Sequence, residues 1–175
     1  MKRTIHIVWL AVIVLGLTVI PAEISGQSTI HVIQGKEFDR SVPQHFYLEG
    51  QAIPIQKRNS TLVKGNGMRS LLGLLDTSGY GTDITQKYNG MIFLEGKLFI
   101  GGQEMSTGAY GFGVKRPAPP ARGPATIMVY DIAGVKVAEL SSALDERIQR
   151  PRPLQVIVEG GKARLYLGRD WLELK

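Results

Sequence analysis

Few side chains in this 175-residue sequence stand where they could do chemistry on one another. The chain has three histidines, His6, His31 and His45, and no cysteine, which removes thiol catalysis, thiolate metal sites and disulfides from consideration. His31 and His45 each lie beside a short apolar run with no serine motif nearby, so they read as structural side chains and not as bases for a nucleophile. His31, Glu37, Asp39 and His45 are metal-ligating types, but their spacing is irregular. Zinc sites show tight local pairs such as two histidines one helical turn apart, so no metal is expected. Gly-x-Ser-x-Gly, His-Glu-x-x-His, a phosphate-cradling glycine loop and the dinucleotide fingerprint are all missing, and no cofactor is expected either. Asp76 and Asp83 share one glycine-rich stretch but bring too few oxygens for calcium. Four aromatic residues, Tyr80, Tyr110, Tyr130 and Trp171, are candidate stacking contacts for a ligand, although strand alternation hides about half of such side chains in a core.

The sharpest chemical pattern is divided between two places. "LLGLLDTSGYGTD" (Leu71 to Asp83) sets Asp76 and Thr77 after an apolar strand, and "RLYLGRDWL" (Arg164 to Leu172) carries an apolar run into Gly-Arg-Asp. Together they resemble the two landmarks of retroviral-type aspartic peptidases, an Asp-Thr-Gly catalytic loop and a late apolar-apolar-Gly-Arg-Asp element. The resemblance implies a dimer in which paired aspartates share one proton, because like charges about 3 Å apart cannot both ionise. The chain departs from that pattern at Ser78, which stands where the loop needs its glycine. Read from its residues alone, Asp76 to Asp83 is a polar, glycine-rich turn between strands, with a side chain free to cap the short helix that follows.

The elements that must position these residues are short β-type runs broken by glycine. They cover residues 29–33, 45–50, 52–56, 70–77, 91–96, 97–102, 109–114, 126–132 and 135–140. The end of the chain forms two alternating runs around Gly160 and Gly161, the spacing of a two-residue hairpin that needs positive φ. Turn signals at such intervals predict an all-β domain, an antiparallel sandwich or barrel. Short helices are expected at residues 84–88 and 141–148. Pro54 inside a strand-like run predicts an edge or a bulge there. "GVKRPAPPARGPATIMVY" (Gly113 to Tyr130) holds Pro117, Pro119 and Pro120 between Arg116 and Arg122, and residues 115–124 are expected to be a mobile connection, because proline cannot donate to a ladder. A second basic stretch, "ERIQRPRP" with Arg147, Arg150 and Arg152, could join it as a patch but reads first as a solvated connection.

The start of the chain reads as an address. Lys2 and Arg3 precede an uninterrupted apolar run from Ile5 to Ile20, and small residues follow at Ala22, Ser25 and Gly26, the pattern of a signal peptide cleaved after Ala22 or after Gly26, with Gly26 the preferred site. The uncharged stretch from Thr4 to Ala22 also approaches the length of a membrane anchor, about 20 residues; membrane contact is expected only through this segment, if it is retained. Residues 27–175 form one domain. Of 21 cations and 15 anions, two and one lie in residues 1–26, so the formal charge falls from +6 to +5 on cleavage. A modest basic excess permits anionic partners without specifying one, and no nucleic-acid partner is expected.

The combination "DTSGY" (Asp76 to Tyr80), "QKYNG" (Gln86 to Gly90), "GGQEMSTGAYGFG" (Gly101 to Gly113) and "ARLYLGRDWLEL" (Ala163 to Leu174) resembles a group of small exported bacterial proteins with no assigned activity. The resemblance implies a β-rich, periplasmic or extracellular single domain, and the proline-rich segment lies outside its motifs. The function expected is a non-catalytic module that is structural or binds a glycan, an envelope surface or a protein. The alternative is a peptidase-like enzyme centred on Asp76 and Thr77.

Overall fold

The computed structural model describes residues 30–65, 67–121 and 123–175; the expected export signal at residues 1–26 and Arg122 lie outside them. In chain order the elements are β1 (His31–Ile33), α1 (Lys36–Ser41), β2 (His45–Leu48), β3 (Gln51–Gly65), β4 (Met68–Leu75), α2 (Thr82–Lys87), β5 (Gly90–Glu95), β6 (Leu98–Ile100), β7 (Gln103–Met105), β8 (Gly108–Lys115), β9 (Thr126–Asp131), β10 (Lys136–Ser141), β11 (Ala143–Leu144), β12 (Gln155–Glu159), β13 (Lys162–Leu167) and β14 (Asp170–Leu174). They make an all-β sandwich of two antiparallel sheets. The first runs β1-β3-β4-β5-β8-β9-β10 with β2 added on β3, and the second runs β12-β13-β14-β6-β7 with β11 added on β14. No helix among the described residues is long and apolar enough to cross a membrane.

Cores on both faces of the first sheet explain a feature of the sequence. A strand buried on one side alternates apolar and polar residues, but "SLLGLL" in β4 does not. Leu72 packs into the core between the sheets, with Ile92, Phe112, Val129, Leu165 and Leu172. Its neighbours Leu71 and Leu75 point the other way, into a second core with Leu48, Ile53, Ile84 and Tyr88. The β2–β3 hairpin and α2 cover that outer face. Gly111 and Gly113 of β8 let α2 approach: a Cβ on Gly111 would lie 2.6 Å from the Tyr88 ring, and one on Gly113 would overlap the Lys87 carbonyl oxygen. Glu49, at the hairpin tip, clamps the cover. Its Oε1 accepts from Lys87 Nζ and from the Tyr88 hydroxyl, each at 2.6 Å, and its φ of 50° is the left-handed strain that this contact holds in place.

The expected hairpin forms at Gly160 and Gly161, with φ of 56° and 74° and Glu159 opposite Lys162. The helix at residues 84–88 is present as α2, which starts two residues and ends one residue earlier. A helix at 141–148 does not form. There β11 pairs with β14, the Asp145 amide donates to the Arg169 carbonyl at 2.9 Å, and the Asp145 carboxylate takes the Arg147 guanidinium at 2.9 and 2.8 Å. That guanidinium holds the Asp145 carboxyl well below the usual carboxylate range. A short run without a cap loses to such tertiary bonds. Two elements escape the apolar pattern. α1 ("KEFDRS") has no fully buried side chain and no side-chain cap, and β7 is only three residues long.

Pro54 meets one half of its expectation, a strand with a bulge, and not the other, because β3 is an interior strand with β1 and β2 on one side and β4 on the other. The proline is tolerated since the β3–β4 ladder ends at Ile55 opposite Leu75, so its missing N–H falls beyond the last rung. Its carbonyl still accepts from the Asp76 amide at 2.8 Å. The irregularity of β3 comes next, as a bulge between Gln56 and Ser60.

Candidate functional site

Asp76 and Thr77 close β4 in a solvated turn. Asp76 Oδ1 accepts from the Ser78 amide at 3.1 Å and the Ser78 hydroxyl at 2.5 Å, and these two donors, the hydroxyl foremost, hold its carboxyl below the ordinary value. Ser78, the residue that departs from the peptidase pattern, is therefore the one that occupies the carboxylate. The second landmark has separate partners. Asp170 is buried and accepts from the Ala125 amide at 2.8 Å and the Ser142 hydroxyl at 3.2 Å, and Arg169 Nε donates to the Ile148 carbonyl at 3.0 Å. Arg116 reaches Asp170 at 3.2 Å, so the proline-rich connection leaves and returns on one carboxylate.

The other singled-out residues do not converge. His31 and His45 are exposed on β1 and β2. Glu37 and Asp39 are tied to Lys64 and Lys57, and no three acidic or histidine side chains among the described residues could hold a metal ion. Tyr110 and Tyr130 occupy consecutive rungs of the β8–β9 ladder, opposite Asp131 and Gly111, and hence opposite faces of the sheet. Tyr110 packs on the core between the sheets. Tyr130 meets Tyr88 edge to face at 5.5 Å. Tyr80 lies against the outer core and donates its hydroxyl to the Ala52 carbonyl. Trp171 is half-buried on the second sheet under the Arg164 guanidinium, 4.1 Å from its ring. The four rings make no common platform.

A polar groove of about 380 Å³ does assemble where the two sheets meet near α1. Its first wall is the β3 bulge. Between Gln56, opposite Leu74, and Ser60, opposite Gly73, the residues Lys57, Arg58 and Asn59 have no partner on β4, and a bulge of this kind redirects side chains out of the ladder. Its own amides hold it: Gln56 Nε2 donates to the Leu75 carbonyl at 2.9 Å, Asn59 Nδ2 to Gln56 Oε1 at 2.8 Å, and the Ser60 hydroxyl to the Gln56 carbonyl at 3.0 Å. Gly73 leaves room for it, since a Cβ there would overlap the Ser60 hydroxyl. Lys57 turns aside to Asp39 at 2.8 Å, which leaves Arg58 facing the groove.

The opposite wall comes from the connection into β12 and the start of that strand. Arg152 stands between Pro151 and Pro153, its carbonyl anchored by the Gly168 amide at 3.1 Å, and Leu154 is buried beside it. The side chains of Arg58 and Arg152 are exposed and make no ion pair or hydrogen bond among the described residues. Gln34, Asn59, Thr61 and Gln155 add neutral donors and acceptors, Phe38 adds an aromatic ring, and the lining contains no carboxylate and no histidine. Two guanidiniums without a counter-charge favour an oxyanion, which the planar fork takes in two parallel bonds.

The sequence offers two basic stretches, Arg116 with Arg122 and Arg147 with Arg150 and Arg152, that read first as solvated connections and could join as a patch. In the fold Arg116 and Arg147 are consumed by Asp170 and Asp145, and Arg152 is left for the groove. Arg58 had not been singled out; the break in apolar alternation at "QKRNST" was its only signal. No protein-family model, no curated protein and no solved structure matches this chain.

Proposed function

We propose that this protein is a non-catalytic binding module, exported from the cell, that holds an acidic polysaccharide in the groove between its sheets. The observation that carries the reading is that Arg58, on β3, and Arg152, in the connection that leads into β12, both line one groove whose lining holds no carboxylate. A sugar acid supplies what that lining lacks: carboxylates or sulfates for the two guanidiniums, and hydroxyls for Gln34, Asn59, Thr61 and Gln155. The basic excess of the sequence would draw such a polymer in and make the encounter sensitive to salt. The signal-like start of the chain and the resemblance of its motifs to small exported bacterial proteins support a periplasmic or extracellular setting, where acidic polymers of envelopes and matrices are found.

The test is calorimetric titration of the protein with an oligogalacturonate and, separately, with a neutral oligoglucan of the same length. The uronic polymer should bind, and raising the salt from 50 to 500 mM should weaken it severalfold, because the screening length shortens from about 14 Å to about 4 Å. Equal affinity for the neutral polymer would remove the guanidiniums from the account, and the absence of any heat from either would remove the function.

A further inference from the structure

A second cavity, of about 420 Å³, opens on the outer face of the first sheet, on the other side of α1. Unlike the groove, it is apolar at its base. Phe46, Leu62, Leu71 and Met91 form its floor and belong to the outer core. Phe93 forms one wall with 41% of its surface exposed, although its neighbours Ile92 and Leu94 are buried. The size is that of a small-molecule site, roughly 300–1,000 Å³, and such sites combine an apolar body with a few placed polar groups.

Here the polar groups are cations on the rim. The side chain of Arg40, in the last turn of α1, makes no ion pair or hydrogen bond among the described residues. Arg69, on β4, donates to Glu95 at 3.0 Å and to the Ser41 hydroxyl. Its Nε is shut off from solvent without an acceptor. Of five guanidinium donors, the protein thus satisfies two, and the single rim carboxylate, Glu95, is already engaged by Arg69. The rim carries two cations against one anion around an apolar pit.

We propose that this cavity binds the alkyl chain of a fatty acid, with the carboxylate held at the rim by Arg40 and the free donors of Arg69. The charge selects the head and the floor selects the tail. The site is independent of the polysaccharide groove: the two share no lining residue, so either can fail alone.

The experiment is a titration of the protein, labelled with ¹³C at its methionine methyl groups, with dodecanoate below its micellar concentration and with dodecanol as the uncharged control. Met91→Leu assigns the signal from the floor. The proposal requires a saturable shift of Met91 with no change at Met105, which lies in the core between the sheets, and affinity for dodecanoate at least tenfold above that for dodecanol. Arg40→Gln changes an exposed side chain and should cut that preference at least threefold while leaving the spectrum of the free protein intact. Equal affinity for acid and alcohol, an unchanged preference in Arg40→Gln, shifts spread equally to Met105, or no shift at all would each overturn it.

Discussion

Replacing Asp170 tests whether the late Gly-Arg-Asp element is a fastening for its surroundings. The carboxylate receives the amide of Ala125, a residue 1% exposed, so Asp170→Ala strands a buried donor, which costs about 1–3 kcal/mol. It also strips one partner from Ser142, whose hydroxyl keeps only the Ala125 carbonyl at 2.7 Å, and leaves a small void. A total near 3 kcal/mol follows, and at 2–4 °C per kcal/mol for a domain of this size the melting midpoint should fall by about 6–12 °C. Asp170→Asn preserves an acceptor for Ala125 and forfeits mainly the ion pair. Because the Arg116 side chain is 57% exposed, that pair is worth at most about 1 kcal/mol, so the expected loss is about 2–4 °C. Arg116→Gln should cost more than Asp170→Asn, because it also removes the donation to the Leu167 carbonyl at 3.3 Å and leaves the buried Asp170 carboxylate without its counter-charge. Thermal melting by near-ultraviolet circular dichroism, paired with limited proteolysis of the proline-rich connection, reads both effects, since Asp170→Ala releases both ends of that segment. If Asn proved as damaging as Ala, or if Ala cost less than about 1 kcal/mol, the hydrogen-bond account of Asp170 would be refuted.

Gly113→Ala would drive a methyl group into the Lys87 carbonyl; overpacking against backbone costs about 1–3 kcal/mol or more, and a drop in yield of soluble protein together with a lower denaturant midpoint should register it. Glu49 offers a pH test. Lys87 first, then Tyr88, hold its carboxyl below the ordinary 4.5, so its contribution is present above that value and is lost as acid titrates it through the depressed folded-state value. Glu49→Gln should lower stability at neutral pH and flatten the fall of the midpoint below about pH 4.5; an unaltered acid limb would show that the clamp contributes nothing. Gly73→Ala should displace the Ser60 hydroxyl and with it the β3 bulge, so it should weaken polysaccharide binding more than it lowers the melting midpoint, in contrast to Gly113→Ala.

The strands that were legible in the sequence are short apolar runs closed by glycine or another turn signal, such as β2, β4, β5, β8, β9 and the β12–β13 hairpin with its paired glycines. β3 was visible only at its start, because the polar run from Lys57 to Ser60 hides the continuation of a strand that bulges there and resumes. The segment from Ser141 to Ile148 has helical local preference and loses it to bonds with Arg169 and β14, far along the chain; no local window contains them. The same reason governs the candidate site. Arg58 and Arg152 are 94 residues apart in the sequence, and each looks like an ordinary solvated charge until the sheets bring them to one groove. Conversely, Asp76 and the four aromatic residues had conspicuous local settings, but in the fold Asp76 opens a turn after β4, and Tyr80 and Tyr130 lie on the outer core, Tyr110 between the sheets and Trp171 on the second sheet.

On the proposed function, Arg58 and Arg152 act together on an anionic chain. The most direct test is the oligogalacturonate titration repeated on Arg58→Gln, Arg152→Gln and the double variant, all three changes being on exposed side chains. Allowing about 1 kcal/mol for each solvent-screened guanidinium contact, each single change should weaken binding about fivefold and the double change about 30-fold, with melting midpoints unchanged. Retention of wild-type affinity by the double variant would contradict the account.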